Sequence, residues 1–133
     1  MSTETRTVIV EREIPFPAEK IWRALTQPHL IAEWLMQNDF QPAMGHRFTL
    51  KGDWGSVDCQ VLEIEAGKTL AYRWDAMGLE SVVTWTLTPT ASGTHLRMEQ
   101  AGFKPDQTQA FQGAKFGWQK FFAQLEQVVA REG

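Results

Sequence analysis

The side chains that most often carry out chemistry are few in this chain and widely spaced. The histidines are His29, His46 and His95, and the single cysteine is Cys59. A zinc site needs such ligands to converge, and their spacing here does not suggest one. We therefore interpret the histidines as surface residues and expect neither a metal nor another cofactor.

Cys59 and Glu63 each allow a chemical and a structural interpretation. Cys59 has apolar neighbours in phase along a strand pattern, which favours a small buried side chain over a nucleophile. Glu63 lies in a strand that is otherwise apolar on both faces. In a dry pocket its carboxyl would have a raised pKa and could act as an acid or anchor a ligand. We favour the alternative, in which Glu63 points outward or pairs with a cation such as Arg73.

Length and charge limit the class of protein. The 133 residues fit one domain spanning 1–133, with a net charge of −3 and scattered basic residues. Such a balance argues against a nucleic-acid partner, which requires clustered Lys and Arg. The sequence shows no signal-peptide pattern and no apolar run of membrane-spanning length, so we expect a cytoplasmic protein without membrane insertion.

The hydrophobic pattern predicts an ordered series of elements. Period-two alternation indicates a strand at residues 5–14, and two short amphipathic helices follow in residues 17–35. A loop is expected over 36–45, and five more strands with tight turns over 46–101. A long C-terminal helix is predicted from a cap at Asp106 to about Arg131.

This order predicts an α+β fold of the helix-grip type. A six-stranded antiparallel sheet must bury one face, and only the C-terminal helix is long enough to cover it. A sheet of that size twists and curls, so it is expected to wrap around the helix. A pocket between sheet and helix is then a natural ligand site.

Aromatic residues are the most informative signal for function. The chain has six tryptophans, among them Trp54 in a predicted turn. They can be explained as packed core or as core that also lines a ligand cavity, and the sequence leaves both open. The candidate ligand-binding residues are those in phase with the C-terminal helix, that helix's own stripe, and Glu63: Trp34, Phe48, Cys59, Glu63, Trp85, Met98, Phe111, Trp118 and Phe122.

The segment Pro17–Leu35, PAEKIWRALTQPHLIAEWL, resembles the opening signature of the activator of heat-shock-protein-90 ATPase homologue family. Val61–Ile64 and Leu70–Trp74 resemble its central hairpin, and Gly93–Leu96 followed by Gly102-Phe103 resembles its last strand and the exit from it. That family belongs to the polyketide cyclase and START-related superfamily. The resemblance covers essentially the whole chain and implies the helix-grip, START-like fold.

Three functions remain open from the sequence. The first is binding of a small hydrophobic molecule, a lipid or an aromatic polyketide-like compound, between sheet and helix. The second, implied by the family name alone, is modulation of a chaperone ATPase. The third is a polyketide cyclase-like enzyme, which the missing catalytic set disfavours. The sequence does not determine the oligomeric state, because the sheet has exposed edges.

Overall fold

A seven-stranded antiparallel sheet and one long helix dominate the computed structural model, which describes residues 5–53 and 55–131. Trp54 lies outside these residues. The strands are β1 Arg6–Ile14, β2 Gln37–Asn38, β3 Arg47–Gly52, β4 Gly55–Glu65, β5 Thr69–Ala76, β6 Leu79–Pro89 and β7 Thr94–Phe103. The helices are α1 Ala18–Thr26, α2 Pro28–Trp34 and α3 Thr108–Arg131.

The strand order in the sheet is β1-β7-β6-β5-β4-β3-β2. Strands β2 to β7 therefore follow one another as a meander, and β1 joins the far edge by pairing with β7. The register brings Ile14 opposite Thr94 and Val10 opposite Met98. The predicted α+β helix-grip fold is confirmed.

Two details differ from the prediction. The loop after α2 contains the short strand β2, which pairs Gln37 with Lys51, so the sheet has seven strands and not six. Asp106 lies in the turn before α3 and does not cap it. The first helical hydrogen bond is instead accepted by the Gln107 carbonyl from the Phe111 N–H at 3.0 Å.

The core lies between the concave face of the sheet and α3. Trp118, Phe122, Leu125 and Val129 of α3 are all buried at three- and four-residue spacing. On β1 the inward phase is apolar except for Arg12. Its guanidinium lies 5.7 Å from the centre of the Phe122 ring, so the stem covers the core while the charge stays near the surface.

No helix in the described ranges is long and apolar enough to cross a membrane.

Candidate ligand-binding cleft

The largest predicted cavity residues pack against one another. Trp85 meets Trp34 edge-to-face at 5.6 Å between ring centroids, Trp118 at 5.7 Å, and Phe122 at 5.5 Å in a stacked arrangement. All four side chains are at most 2% exposed. These distances are typical of favourable aromatic pairs. The four rings therefore form a packed core at the centre of the grip.

The next candidates, Phe48, Cys59 and Met98, are also buried in the core. Phe48 packs edge-to-face on Phe40 and Tyr72, at centroid distances of 4.9 and 5.4 Å. Met98 is fully buried, and Cys59 is 5% exposed. These residues also serve as core.

The last two candidates are less buried than the others. Phe111 is half-buried near the start of α3 and packs edge-to-face on Phe103. Glu63 is exposed, which agrees with the favoured interpretation that it points outward and not with a pocket acid. The cause is a β-bulge: Val61 pairs with Tyr72 and Glu63 with the adjacent Ala71, so the inward phase is lost after Val61. Arg73 pairs with Asp75, at 3.0 Å, and not with Glu63.

A cleft opens beside this core, between the β5–β6 hairpin and the N-terminal half of α3. Its volume is about 220 Å³. Only Trp118 among the sequence candidates lines it. The full lining is Met36, Trp74, Leu79, Gln100, Ala110, Gly113, Ala114, Gly117, Trp118 and Phe121.

The cleft continues outward into a wider groove. This outer groove has a volume of about 590 Å³ and shares Leu79 and Ala110 with the cleft. It runs from the hairpin residues Ala76 and Met77 to the turn that precedes α3, where Asp106 supplies a carboxylate. The lining thus extends from Trp118 of the aromatic core to solvent, mostly apolar in the cleft and mixed in the outer groove.

Two glycines of α3 line the cleft, Gly113 at an exposed position and Gly117 at a half-buried one. A Cβ built on Gly113 or Gly117 would meet no atom within 4 Å. Glycine inside a helix costs about 0.5–1 kcal/mol relative to alanine, and no close packing accounts for it at these two positions. Sequence reasoning missed both glycines, although an isolated glycine inside a helical pattern is itself a signal.

The buried titratable groups near the core are held in their neutral forms. Burial raises the pKa of the Cys59 thiol, and the nearby carboxylates of Asp58 and Asp75 raise it further. Burial likewise raises the pKa of the Tyr72 phenol, which accepts a hydrogen bond from the Trp85 indole N–H at 2.9 Å. Neither group has the environment of a nucleophile or base.

The histidines lie apart, as the sequence predicted. His29 is exposed on α2, His46 contacts the Asp39 carbonyl at 3.1 Å, and His95 contacts Glu11 at 2.8 Å. Within residues 5–53 and 55–131, no three His, Cys, Asp or Glu side chains are grouped so as to hold a metal ion. The cleft is a concave, mostly apolar feature that adjoins the core.

Comparison with known proteins identifies the family. The model of the activator of Hsp90 ATPase homolog 1-like proteins matches residues 15–130. This chain belongs to that family. No curated protein matches the sequence.

Solved structures of similar proteins share this fold. Protein MLL2253 from Mesorhizobium loti is 60% identical, with a TM-score of 0.93, over 96% of this chain and 99% of that one. Protein BH1534 from Bacillus halodurans is 27% identical, with a TM-score of 0.85, over 96% of this chain and 99% of that one. DynU16, a protein of the dynemicin biosynthetic locus, is 28% identical with a TM-score of 0.84, and the match covers 93% of this chain and 47% of DynU16.

Proposed function

We propose that this family member binds a small hydrophobic molecule in the cleft between the β5–β6 hairpin and α3. The observation that carries the proposal is an open, mostly apolar cleft floored by Trp74 and Trp118, where Gly113 and Gly117 of α3 leave open space. Binding sites for small molecules are typically concave, mostly apolar and furnished with a few polar groups. The proposed site thus lies beside the predicted aromatic cluster, of which Trp118 lines the cleft.

The size of the cleft suits a small ligand. A closed cavity of about 150 Å³ accommodates benzene. The cleft, at about 220 Å³, has room for a somewhat larger ring system or the end of a lipid, and the outer groove can hold what projects from it.

The lining favours binding over catalysis. A cyclase-like reaction would need a general acid or base at the site. Of the described residues that line the cleft or the outer groove, Asp106 is the one ionisable side chain, and it belongs to the groove.

The role of chaperone ATPase modulator remains a prediction from the family name, and an ATPase assay with the cognate chaperone tests it. A single buried cysteine suits a reducing compartment, and we propose that the protein acts in the cytoplasm.

A backbone amide NMR titration tests the binding role. The probes are fatty acids, sterols and flavonoid-like aromatics. We expect at least one class to give saturable shifts clustered at Trp74, Gly113, Gly117 and Trp118. Shifts clustered instead at Phe48 and Met98 would mean that the ligand enters the core, and no saturable shift with any probe would refute the proposal.

A pair of variants locates the site. Gly117→Phe fills the cleft, whereas Ala123→Phe adds the same ring to an exposed position of α3. Gly117→Phe should abolish the saturable shifts, and Ala123→Phe should leave them unchanged. Equal binding by both variants would place the ligand elsewhere.

A further inference from the structure

Gln100 is an exception in the apolar face of the sheet. It follows Leu96 and Met98 in the inward phase of β7 and is 2% exposed. An apolar residue would continue this face without the cost of burying an amide, which is tolerated only when hydrogen bonds compensate. The hydrogen bonds of the Gln100 amide therefore indicate its role.

A chain of three buried hydrogen bonds fixes the orientation of the amide. The Trp118 indole N–H donates to Gln100 Oε1 at 2.7 Å, and Gln100 Nε2 donates to Ser81 Oγ at 3.0 Å. The Ser81 hydroxyl donates to the Trp74 carbonyl at 2.7 Å. Because an indole nitrogen can only donate, the amide oxygen must face Trp118, and the direction of every bond in the chain follows.

This arrangement leaves hydrogen-bonding capacity at the cleft. A primary amide offers two N–H donors and two acceptor lone pairs. The chain uses one of each, and no other described side chain or carbonyl takes the remaining N–H or lone pair of Gln100. Since Gln100 is one of the residues that line the cleft, its amide adjoins the space that a ligand would occupy.

The remaining lining sets the charge of the ligand. Among the described residues around the cleft none is basic, and the outer groove contributes the Asp106 carboxylate. An anionic ligand would lose its hydration without gaining a counter-charge. A hydroxyl or amide group, by contrast, can both donate and accept a hydrogen bond. It can therefore pair with the unused N–H and the unused lone pair of Gln100.

We propose that Gln100 is the specificity-determining residue of the cleft, and that it selects an uncharged ligand with an apolar body and one hydroxyl or amide group. This inference rests on the proposed function and narrows it, because it disfavours fatty-acid carboxylates. Ser81 and Trp118 are positioning residues that hold the amide in one orientation.

Three probes of equal ring size separate the contributions. They are naphthalene, 2-naphthol and 2-naphthoate, titrated near pH 7, where a phenol stays protonated and a carboxylate is ionised. The readout is the dissociation constant from amide shifts at Gly113 and Gly117. We expect 2-naphthol to bind roughly three- to tenfold more tightly than naphthalene, as one added hydrogen bond would give, and 2-naphthoate to bind least tightly.

Gln100→Met removes the amide while keeping a side chain of similar length. The 2-naphthol preference should vanish in this variant while naphthalene still binds, whereas a merely structural role would weaken both probes alike. Gln112→Met, on an exposed position of α3, is the matched control and should keep the preference. The wild-type signals of the Gln100 side-chain amide give a test that does not depend on the variant folding, because they should shift with 2-naphthol and much less with naphthalene.

The outcomes distinguish the two proposals. If naphthalene and 2-naphthol bind the cleft equally, or if 2-naphthoate binds most tightly, the role of Gln100 is wrong and the binding function stands. If none of the three probes and no member of the wider panel binds, the binding function itself is wrong.

Discussion

At the scale of single residues, the glycines divide by what surrounds them. Gly113 and Gly117 have open space where a side chain would begin. At Gly93 a Cβ would lie 2.1 Å from the Ile14 carbonyl oxygen, and at Gly102 it would lie 2.6 Å from that of Glu80. Gly102 also has a φ of +124°, which other residues rarely adopt. Gly113 and Gly117 thus leave open space beside α3, whereas Gly93 and Gly102 allow neighbouring backbone segments to approach each other closely.

Replacing these glycines by alanine should have opposite effects on stability. Gly113→Ala should raise the free energy of unfolding by about 0.5–1 kcal/mol, because it gains helix propensity without a clash. Gly93→Ala should lower it, since the backbone of the β6–β7 turn must move away from Ile14. Urea unfolding followed by tryptophan fluorescence measures both. A destabilised Gly113→Ala variant would show that the helix needs glycine there for a reason other than space.

The sequence contained the signals for these residues, but alternation alone did not interpret them. Phase along the strands correctly placed Phe48, Cys59, Trp85 and Met98 on the inner face. Phase could not tell whether a ring fills space or borders it, because that depends on which rings touch across the sheet and helix. Gln100 is a polar residue in the inward phase of β7, and with the isolated glycines of α3 it was an available signal for the cleft.

At the scale of elements, α3 has phenylalanines in two different environments. Phe122 is fully buried against Trp85, whereas Phe116 is 78% exposed. The helix therefore supplies its own internal comparison of packing and exposure.

Truncation of these two side chains should separate core packing from helix propensity. Phe122→Ala should lower the free energy of unfolding by about 3–5 kcal/mol, because it leaves a cavity in the aromatic core. Phe116→Ala should change it by less than about 0.5 kcal/mol. Urea midpoints at equal m-values give the comparison. Similar losses for both would mean that Phe116 is covered in solution, for example by another molecule.

The pairing of β1 with β7 also creates a pH-dependent contact. A hydrogen bond from His95 to Glu11 lowers the pKa of the Glu11 carboxyl, and Arg97 contributes less. Because the pKa of Glu11 is lowered in the folded state, its ionised carboxylate stabilises the protein at pH values above the ordinary pKa of a glutamate. That contribution is lost as the pH falls through the folded-state pKa.

Carbon-detected NMR titration of the Glu11 carboxyl measures this shift directly. We expect His95→Leu to raise the pKa of Glu11 towards its ordinary value, and Arg97→Ala to raise it by less. An unchanged Glu11 pKa in His95→Leu would show that the contact does not persist in solution.

Two elements were missed or misplaced because their determinants are not local. Strand β2 has only two residues, Gln37 and Asn38, and no alternation to detect. It is set by the Asn38 side chain, whose amide nitrogen bonds the Pro28 and Met36 carbonyls at 3.1 and 3.0 Å. The β-bulge before Glu63 depends on how β4 pairs with β5. The sequence of β4 alone shows only that the apolar residues change face near Leu62.

At the scale of the whole molecule, element order was enough to predict the fold. A run of antiparallel strands with a single long amphipathic helix after it has few ways to bury both apolar faces, and the grip is one of them. The position of the binding cleft was not predictable in the same way. It depends on where the β5–β6 hairpin and the α3 glycines meet, and these segments are far apart along the chain.

The pairing of the first strand with the last has a consequence for synthesis in the cell. Ile14 pairs with Thr94 and Arg6 with Phe103, so β1 leaves the ribosome long before β7, its one neighbour among the described strands, exists. At roughly 5–20 residues per second, its apolar face, Val8 and Val10, waits for several seconds without a partner. Anything that slows translation between α1 and β7 lengthens the period in which the nascent chain can aggregate through β1.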